Sequence, residues 1–272
     1  MIRIHCIVEN AVKFGTHFWA EHGLCLFVET WGFRFFLDAG ASEEVLHHNL
    51  EIARIEPALA NAVFVSHGHY DHTTGLPLLL KRMNKPALYA HPQIFSEHYA
   101  YSNEKYRYIG VQFEKEEIEA LCQPKFTKEP LEVSEGIYFS GEIPGARKKS
   151  KFYLKSGEGY LEDAILDDAA VYLLTKRGVI VIFGCGHAGV INTLEHAKKI
   201  TNQKIYGIFG GTHLVSAGNE ELEEVVEYLK GEEVGMLRLA HCTGKDAEYL
   251  LKREFGKKFE CFPAGSVEII EG

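Results

Sequence analysis

Residues 66–75 read SHGHYDHTTG, so that His67, His69, Asp71 and His72 fall within six positions, directly after the apolar run NAVFV. Histidine is a modest helix former, and the two glycines argue against a continuous helix. The stretch suits chemistry better than packing. His67 and His69 are two apart, so in an extended loop their rings can approach one ion from the same side. Asp71 and His72 are adjacent and diverge, which suits a second ion. Imidazole combined with carboxylate favours zinc, iron or manganese over calcium or magnesium. Two such ions about 3.5–4 Å apart activate water and polarise a phosphoryl or carbonyl oxygen.

Three further histidines repeat the setting of His67. His187 follows VIVIFGCG, His213 follows IYGIFGGT and His241 follows MLRLA, each an apolar strand-like run with a helical pattern soon after. Asp38 closes FRFFL by the same rule. Ligand sites in sheets with βα connections gather where strands end, so these side chains can converge on one mouth. His213 stays open between a metal ligand, a substrate contact and an ordinary loop residue. His5, His47, His48, His98 and His196 read as packing or surface residues. The triplets TTG at 73–75, AGV at 188–190 and TGK at 243–245 lead into helices, whose N-termini suit anions. Thr73 or Thr74 reads as an ordinary cap. Thr243, Gly244 and Lys245 read as an anion site, with His213 on its opposite side. Lysine in a first helical turn opposes the helix dipole and so asks for an outside reason.

The elements that must position these residues follow from periodicity. LCLFVE and FRFFL form a hairpin across TWG. SEEVLHHNL is a helix with Ser42 as N-cap. NAVFVS is a strand, TTGLPLLLKRM a helix and PALYAH a strand. Residues 92–130 are polar and tyrosine-rich and interrupt the βα rhythm. They read as an insertion, either a lid whose tyrosines and Arg107 reach substrate or a peripheral excursion. The rhythm returns with GIYFSGEI, the hairpin AAVYLLTKRGVIVIFG, and three strand–helix alternations up to KDAEYLLKREF. NEELEEVVEYLK places Leu222, Val225, Val226 and Leu229 on one helical face. Hairpins and βα units in each half point to two sheets packed face to face with helices outside.

Bulk properties narrow the classes. The 272 residues are 46% hydrophobic and 25% charged, ordinary for a globular protein and enough for one large domain. A net charge of −9 weighs against a sequence-independent nucleic-acid binder. The basic run Arg147, Lys148, Lys149, Lys151 reads as a solvated loop. The six cysteines contain no C-x-x-C pair and read mostly as small buried residues in a reducing compartment. MIRIHCIVEN enters an alternating pattern without the apolar core of a signal peptide. VIVIF, the longest apolar run, is too short to span a bilayer. The expected location is cytoplasmic.

HGHYDH resembles the H-x-H-x-D-H signature of the metallo-β-lactamase superfamily. FLDAG resembles that family's first motif, with Asp38 in the place of its buried aspartate, and His241 in LAHC looks like its final histidine ligand. EHGLCLFVET, GCGHAGVINT, GGTHL and HCTG are similar to a narrower subgroup. That subgroup includes archaeal dihydropterin-ribofuranosylaminobenzene-phosphate synthases and metal-dependent hydrolases. The resemblance covers nearly the whole chain and implies a single α/β domain over 1–272, a four-layer αββα sandwich. It implies two divalent metal ions, zinc foremost, with His67, His69 and His187 on one and Asp71, His72 and His241 on the other. Asp38 would orient His72 or another ligand from behind, and Asp38 and Asp71 are the carboxylates expected to serve catalysis. One departure stands out. Ala146 in IPGA occupies the place of a family histidine, and Cys185 in GCGH the place of a bridging aspartate. Either His187 replaces the missing histidine or Cys185 bridges as a thiolate. Asp167 and Asp168 are further acidic candidates, and their preferred reading is as strand caps.

The implied activity is that of a metal-dependent hydrolase or transferase acting on an anionic, phosphorylated small molecule, with pterin-type synthase chemistry included. The alternatives are a nuclease or phosphodiesterase of the same superfamily, which the acidic balance disfavours, and a non-catalytic metal-binding sensor.

Overall fold

Strands β2 (Cys25–Glu29) and β3 (Arg34–Leu37) form the expected hairpin. Its turn is closed by Thr30, whose N–H and hydroxyl both donate to the Phe33 carbonyl, at 2.9 and 2.8 Å. Both strands are buried on two faces, which explains their unbroken apolar sequences. Leu26, Val28, Phe35 and Leu37 face one core, while Cys25, Phe27 and Phe36 face another. The computed structural model describes residues 1–147 and 151–271. Lys148 and Lys149 of the basic run lie outside the described residues.

The first sheet runs in the order β18 (Val267–Ile270), β1 (Ile2–Val8), β2, β3, β4 (Ala62–Phe64), β5 (Ala87–Ala90), β8 (Gln123–Phe126). The second runs β17 (Phe259–Cys261), β16 (Met236–Ala240), β15 (Ile205–Gly211), β14 (Gly178–Phe183), β13 (Ala170–Thr175), β10 (Ile137–Phe139), β9 (Leu131–Ser134). Ile4, Leu26, Phe35 and Phe64 of the first sheet meet Phe139, Val171, Ile180, Ile182 and Phe209 of the second in a central core. The outer face of the first sheet is covered by α1 (Glu43–Ala53), α3 (Leu76–Arg82) and α4 (Lys115–Leu121). The outer face of the second is covered by α5 (Val190–Thr201), α6 (Asn219–Gly231) and α7 (Lys245–Phe255). The result is the four-layer αββα sandwich. VIVIF is its most central strand, β14, alternating between the inner core and the helix layer.

Local signals behave as their chemistry dictates. Ser42 caps α1 by accepting from Val45 N–H at 3.2 Å, with Glu43 and Glu44 in the first turn. Leu222, Val225, Val226 and Leu229 are the buried face of α6. The metal loop differs from expectation. Its first helical turn, α2 (Tyr70–Thr73), begins inside the motif, and neither Thr73 nor Thr74 is an N-cap: His69 precedes α2, Gly75 precedes α3, and Thr74 instead ends α2 as its C-cap. Their hydroxyls donate backwards to the carbonyls of His69 and Tyr70, at 2.9 and 2.7 Å.

Residues 92–130 divide into two parts. Helix α4 and strand β8 complete a parallel βαβ unit beside β5, so 115–126 belong to the sandwich itself. Only β6 (His98–Ser102) and β7 (Lys105–Tyr108) leave it. They join β11 (Phe152–Ser156) and β12 (Gly159–Glu162) in a separate four-stranded sheet, ordered β12-β11-β6-β7. Among the described residues, no helix is long and apolar enough to cross a membrane.

Candidate metal centre

Parallel pairing explains why the ligands meet. β3 and β4 run parallel, which sets Asp38 beside the loop that begins at Ser66. β14, β15 and β16 run parallel, which sets Cys185, His213 and His241 at one edge of the second sheet. The two edges close on each other at Gly184, where a Cβ would run into the Ser66 side chain and lie 2.7 Å from Asp38 Oδ2. Asp38, His213 and His241 have φ of 62°, 50° and 54°, a left-handed backbone that is rare for residues with a side chain and concentrates at functional sites.

His67 Nε2 and His69 Nδ1 face each other at 3.0 Å. His72 Nε2 and His241 Nε2 do the same at 3.2 Å. Tetrahedral zinc with nitrogen at 2.0–2.1 Å spaces its ligand atoms by roughly 3.3 Å, so both pairs have the spacing of one coordination edge. Asp71 Oδ2 completes the second group, 3.8 Å from His72 Nε2 and 3.4 Å from His241 Nε2. His187 closes the first, its ring 4.9 Å from that of His67 and 5.1 Å from that of His69. Its Nε2 is buried without a hydrogen-bond partner. Cys185 Sγ lies within 4.8 Å of the donor atoms of His67 and His187, and equally of those of His72 and His241. It therefore stands between the two groups, at a place separate from that of His187. The chemistry of this donor set, imidazole, carboxylate and thiol, suits divalent metal.

The far nitrogen of three of these histidines is tied down, which fixes ring orientation and tautomer. His72 Nδ1 lies 2.7 Å from Asp38 Oδ2, His67 Nδ1 2.9 Å from Ser66 Oγ and His241 Nδ1 3.0 Å from Asn10 Oδ1. Asp38 also accepts from Ser66 N–H at 2.7 Å and from Ser66 Oγ–H at 2.8 Å. It thus orients His72 and pins the start of the metal loop together. Burial first, and neighbouring histidines second, hold His67 and His187 well below the usual imidazole range. Burial and His98 do the same to His69. These rings are neutral and offer lone pairs. Burial also opposes a charge on His72, but Asp38 and Asp71 outweigh it and carry its pKa up to about 9. A proton therefore occupies His72 near neutral pH until a cation displaces it.

Several participants lay outside the sequence reading. His22 Nε2 reaches Asp71 Oδ2 at 3.2 Å from a side chain that is 61% exposed, so it stands at the mouth. Its signal was the EHGL stretch leading into β2. His98, read as a packing or surface residue, is buried beside the centre, 2.6 Å from Asp163 Oδ2, its ring 5.4 Å from that of His69. His5, His47, His48 and His196 instead contact Glu29, Arg82, Trp19 and Tyr172, as packing or surface residues would. Asp167 and Asp168, read as strand caps, hold the ligand loops. Asp167 accepts from Gly68 N–H at 2.7 Å and Asp168 from Ala188 N–H at 2.8 Å. Burial pushes Asp168 up to about 6.

His213 sits at the rim, its ring 4.1 Å from that of His187 and 6.0 Å from that of Phe152. Thr243 is buried, donating to the Ala240 carbonyl at 2.8 Å and accepting from Thr212 at 3.0 Å. Gly244 precedes α7 at φ 82° without a side-chain cap. Lys245 is not brought to these residues. Its side chain is 86% exposed and reaches Glu248 at 2.8 Å, so the adverse dipole is met by an acid one turn on. The small sheet turns His98 and Phe152 toward the histidines. Cross-strand partners share a face. The pairs Tyr99–Tyr108 and Tyr101–Tyr106 therefore lie on the other face, where Tyr106 stacks on Tyr160 at 3.6 Å. Arg107, on the His98 side, places its guanidinium 5.9 Å from the Tyr70 ring.

With two sheets, outer helices and a strand-end histidine centre, the chain belongs to the metallo-β-lactamase superfamily. Residues 34–128 match the model of a β-lactamase superfamily domain. The chain is 30% identical to the 7,8-dihydropterin-6-methyl-4-(β-D-ribofuranosyl)-aminobenzene-5'-phosphate synthase of Methanocaldococcus jannaschii, over 98% of this chain and 96% of that one. The crystal structure of Tm1679, a metal-dependent hydrolase of the β-lactamase superfamily, superposes with a TM-score of 0.86 at 27% identity, covering 100% of both chains. Zn2+-bound PqqB from Methylobacterium extorquens shares the fold, with a TM-score of 0.59 at 12% identity over 98% of this chain and 100% of that one.

Proposed function

We propose that this chain is a binuclear metal-dependent enzyme acting on a phosphorylated small molecule of pterin type. His67, His69 and His187 hold one divalent ion, zinc foremost. Asp71, His72 and His241 hold the other, and Cys185 is shared between them. The observation that carries this reading is the pair of facing nitrogen sets with one thiol between them. When bound, two such ions polarise a phosphoryl or carbonyl oxygen and make water nucleophilic near neutral pH.

The chain's own residues do the rest. Asp38 keeps the His72 ring aimed and its near nitrogen unprotonated once an ion is present. His22 and His213 flank the mouth, each able to donate a hydrogen bond to an anionic oxygen. Thr243 and Gly244 close the wall behind His213 through the Thr212 contact. Phe152 and Arg107 line the side given by the small sheet, an aromatic face and a guanidinium suited to a flat heterocycle and a phosphate. This side is the lid component of the reading. The pterin class is supported by the relative with 30% identity, whose name carries both a pterin and a phosphate.

The test is elemental analysis of purified protein, then turnover with zinc, iron or manganese. The panel holds phosphoesters, thioesters and pterin substrates paired with phosphorylated aryl ribosides. Consumption of a phosphorylated member with metal present is expected. A metal-loaded protein that leaves all of them untouched refutes the reading.

A further inference from the structure

Cys185 follows β14 and Cys242 follows β16, with β15 between those strands. Their sulfurs nevertheless meet at 3.1 Å across the end of β15, and both are free thiols. Gly211 makes this possible, since a Cβ there would lie 2.7 Å from Cys242 Sγ and 2.6 Å from the Gly184 carbonyl. His213 N–H donates to Cys242 Sγ at 3.2 Å, and His213 Nδ1 lies 3.5 Å from Cys185 Sγ. Cys185 thus stands at a junction: it lies within reach of both ligand groups and also of the cluster formed with His213 and Cys242.

We propose that Cys185 and Cys242 are an oxidation site, a dithiol that closes to a disulfide under peroxide, and that this disulfide and full metal loading exclude each other. The inference rests on Cys185 being the shared ligand. One thiolate attacks a peroxide oxygen, which forms a sulfenic acid and releases water. The second thiol then attacks that sulfur, forms the S–S bond and releases a second water. Two thiol hydrogens and two electrons pass to one hydrogen peroxide, and the balance closes. The thiolate is the metal-binding form of cysteine, so a disulfide removes the shared donor. Conversely, bound metal engages Cys185 and shields the pair. The sulfurs must approach by only about 1 Å to reach bonding distance, a local move of two buried side chains just past the ends of β14 and β16.

The experiment compares chelator-stripped and metal-loaded protein, each treated with hydrogen peroxide. Free thiols are alkylated, linked peptides are mapped without reduction, and metal uptake is read by elemental analysis. The stripped protein is expected to give a Cys185–Cys242 linked peptide and to lose metal uptake, which returns after treatment with dithiothreitol. The metal-loaded protein is expected to keep both thiols. Cys242→Ser is expected to take up metal and to keep doing so after peroxide. Absence of the linked peptide from stripped protein overturns the proposal, and so does a linked peptide with undiminished uptake. Should Cys242→Ser not fold, the mapping and uptake of the parent decide alone. A parent that binds no metal before oxidation refutes the binuclear reading instead, whatever its thiols do.

Discussion

Asp38→Asn is the substitution whose consequences the structure fixes most closely. Asp38 is fully buried and accepts from two Ser66 donors while holding His72 Nδ1 at 2.7 Å. The amide keeps the shape but has one acceptor oxygen and one donor nitrogen. It can satisfy Ser66 N–H and must then present N–H groups to Ser66 Oγ and His72, which loses the hydrogen bond that sets the His72 tautomer. Loss of such a partner behind a ligand typically weakens metal binding 10–100-fold, about 1.4–2.7 kcal/mol. The stripped protein gives an independent reading. His72 is raised from 6.5 to about 9, which corresponds to roughly 3 kcal/mol as an upper bound. The folded pKa is above the unfolded one. The stabilisation is therefore fully present below about pH 6.5 and lost as pH rises through about 9. Asp38→Asn should destabilise the stripped protein far more at pH 6 than near pH 10, read by urea unfolding. Metal affinity is read by chelator competition. An unchanged affinity, or a destabilisation equal at both pH values, refutes the argument that Asp38 acts through His72.

Other outcomes follow from the same geometry. Metal uptake at the Asp71, His72, His241 group should weaken as pH falls below about 9, with proton release on binding, because the His72 proton must leave; calorimetry in buffers of different ionisation enthalpy checks it. His67→Ala with His69→Ala should abolish one ion and retain the fold, read by elemental analysis and circular dichroism. His22→Ala should leave both ions bound and lower kcat/KM, since its side chain faces the mouth; a loss of metal would make it a ligand. Gly211→Ala should cost about 1–3 kcal/mol by overpacking and separate the two thiols, read by thermal unfolding and by loss of the Cys185–Cys242 crosslink.

The metal loop was legible because its chemistry is local. Six consecutive positions carry four candidate ligands, three histidines and an aspartate, and an apolar strand before them names the place where loops open onto a site. The αββα order was legible for a related reason. Strands such as VIVIF, buried on both faces, leave no alternation, and only a sheet covered on two sides tolerates that. Residues 98–108 and 152–162 failed to show as one sheet because their pairing is non-local, with β6 joining β11 through partners such as Ala100 and Phe152 that lie far apart in the chain. Tyrosines that stack on one another give a polar-looking sequence, so the period-2 signal was faint. Asp167 and Asp168 were misread for a similar reason. Their hydrogen bonds go to Gly68 and Ala188, and nothing in DDAAV names partners that far away.

Position 185 shows what spacing can and cannot deliver. In sequence, His187 as the replacement for a missing histidine and Cys185 as a thiolate bridge stand as alternatives, because a linear pattern counts ligands without locating them. In space the turn through Gly186, at φ 77°, sends the two side chains to different places. His187 goes to the His67 ring and Cys185 to the gap between the groups. A thiolate there has one donor atom where a carboxylate has two, so on the binuclear reading proposed above both metal groups would depend on one oxidisable sulfur. A carboxylate cannot be withdrawn by a peroxide. Replacing Cys185 with Asp should therefore keep metal uptake indifferent to hydrogen peroxide, whereas the parent should lose it once stripped and oxidised. Equal peroxide sensitivity in the two proteins would place the responsible group elsewhere in the chain.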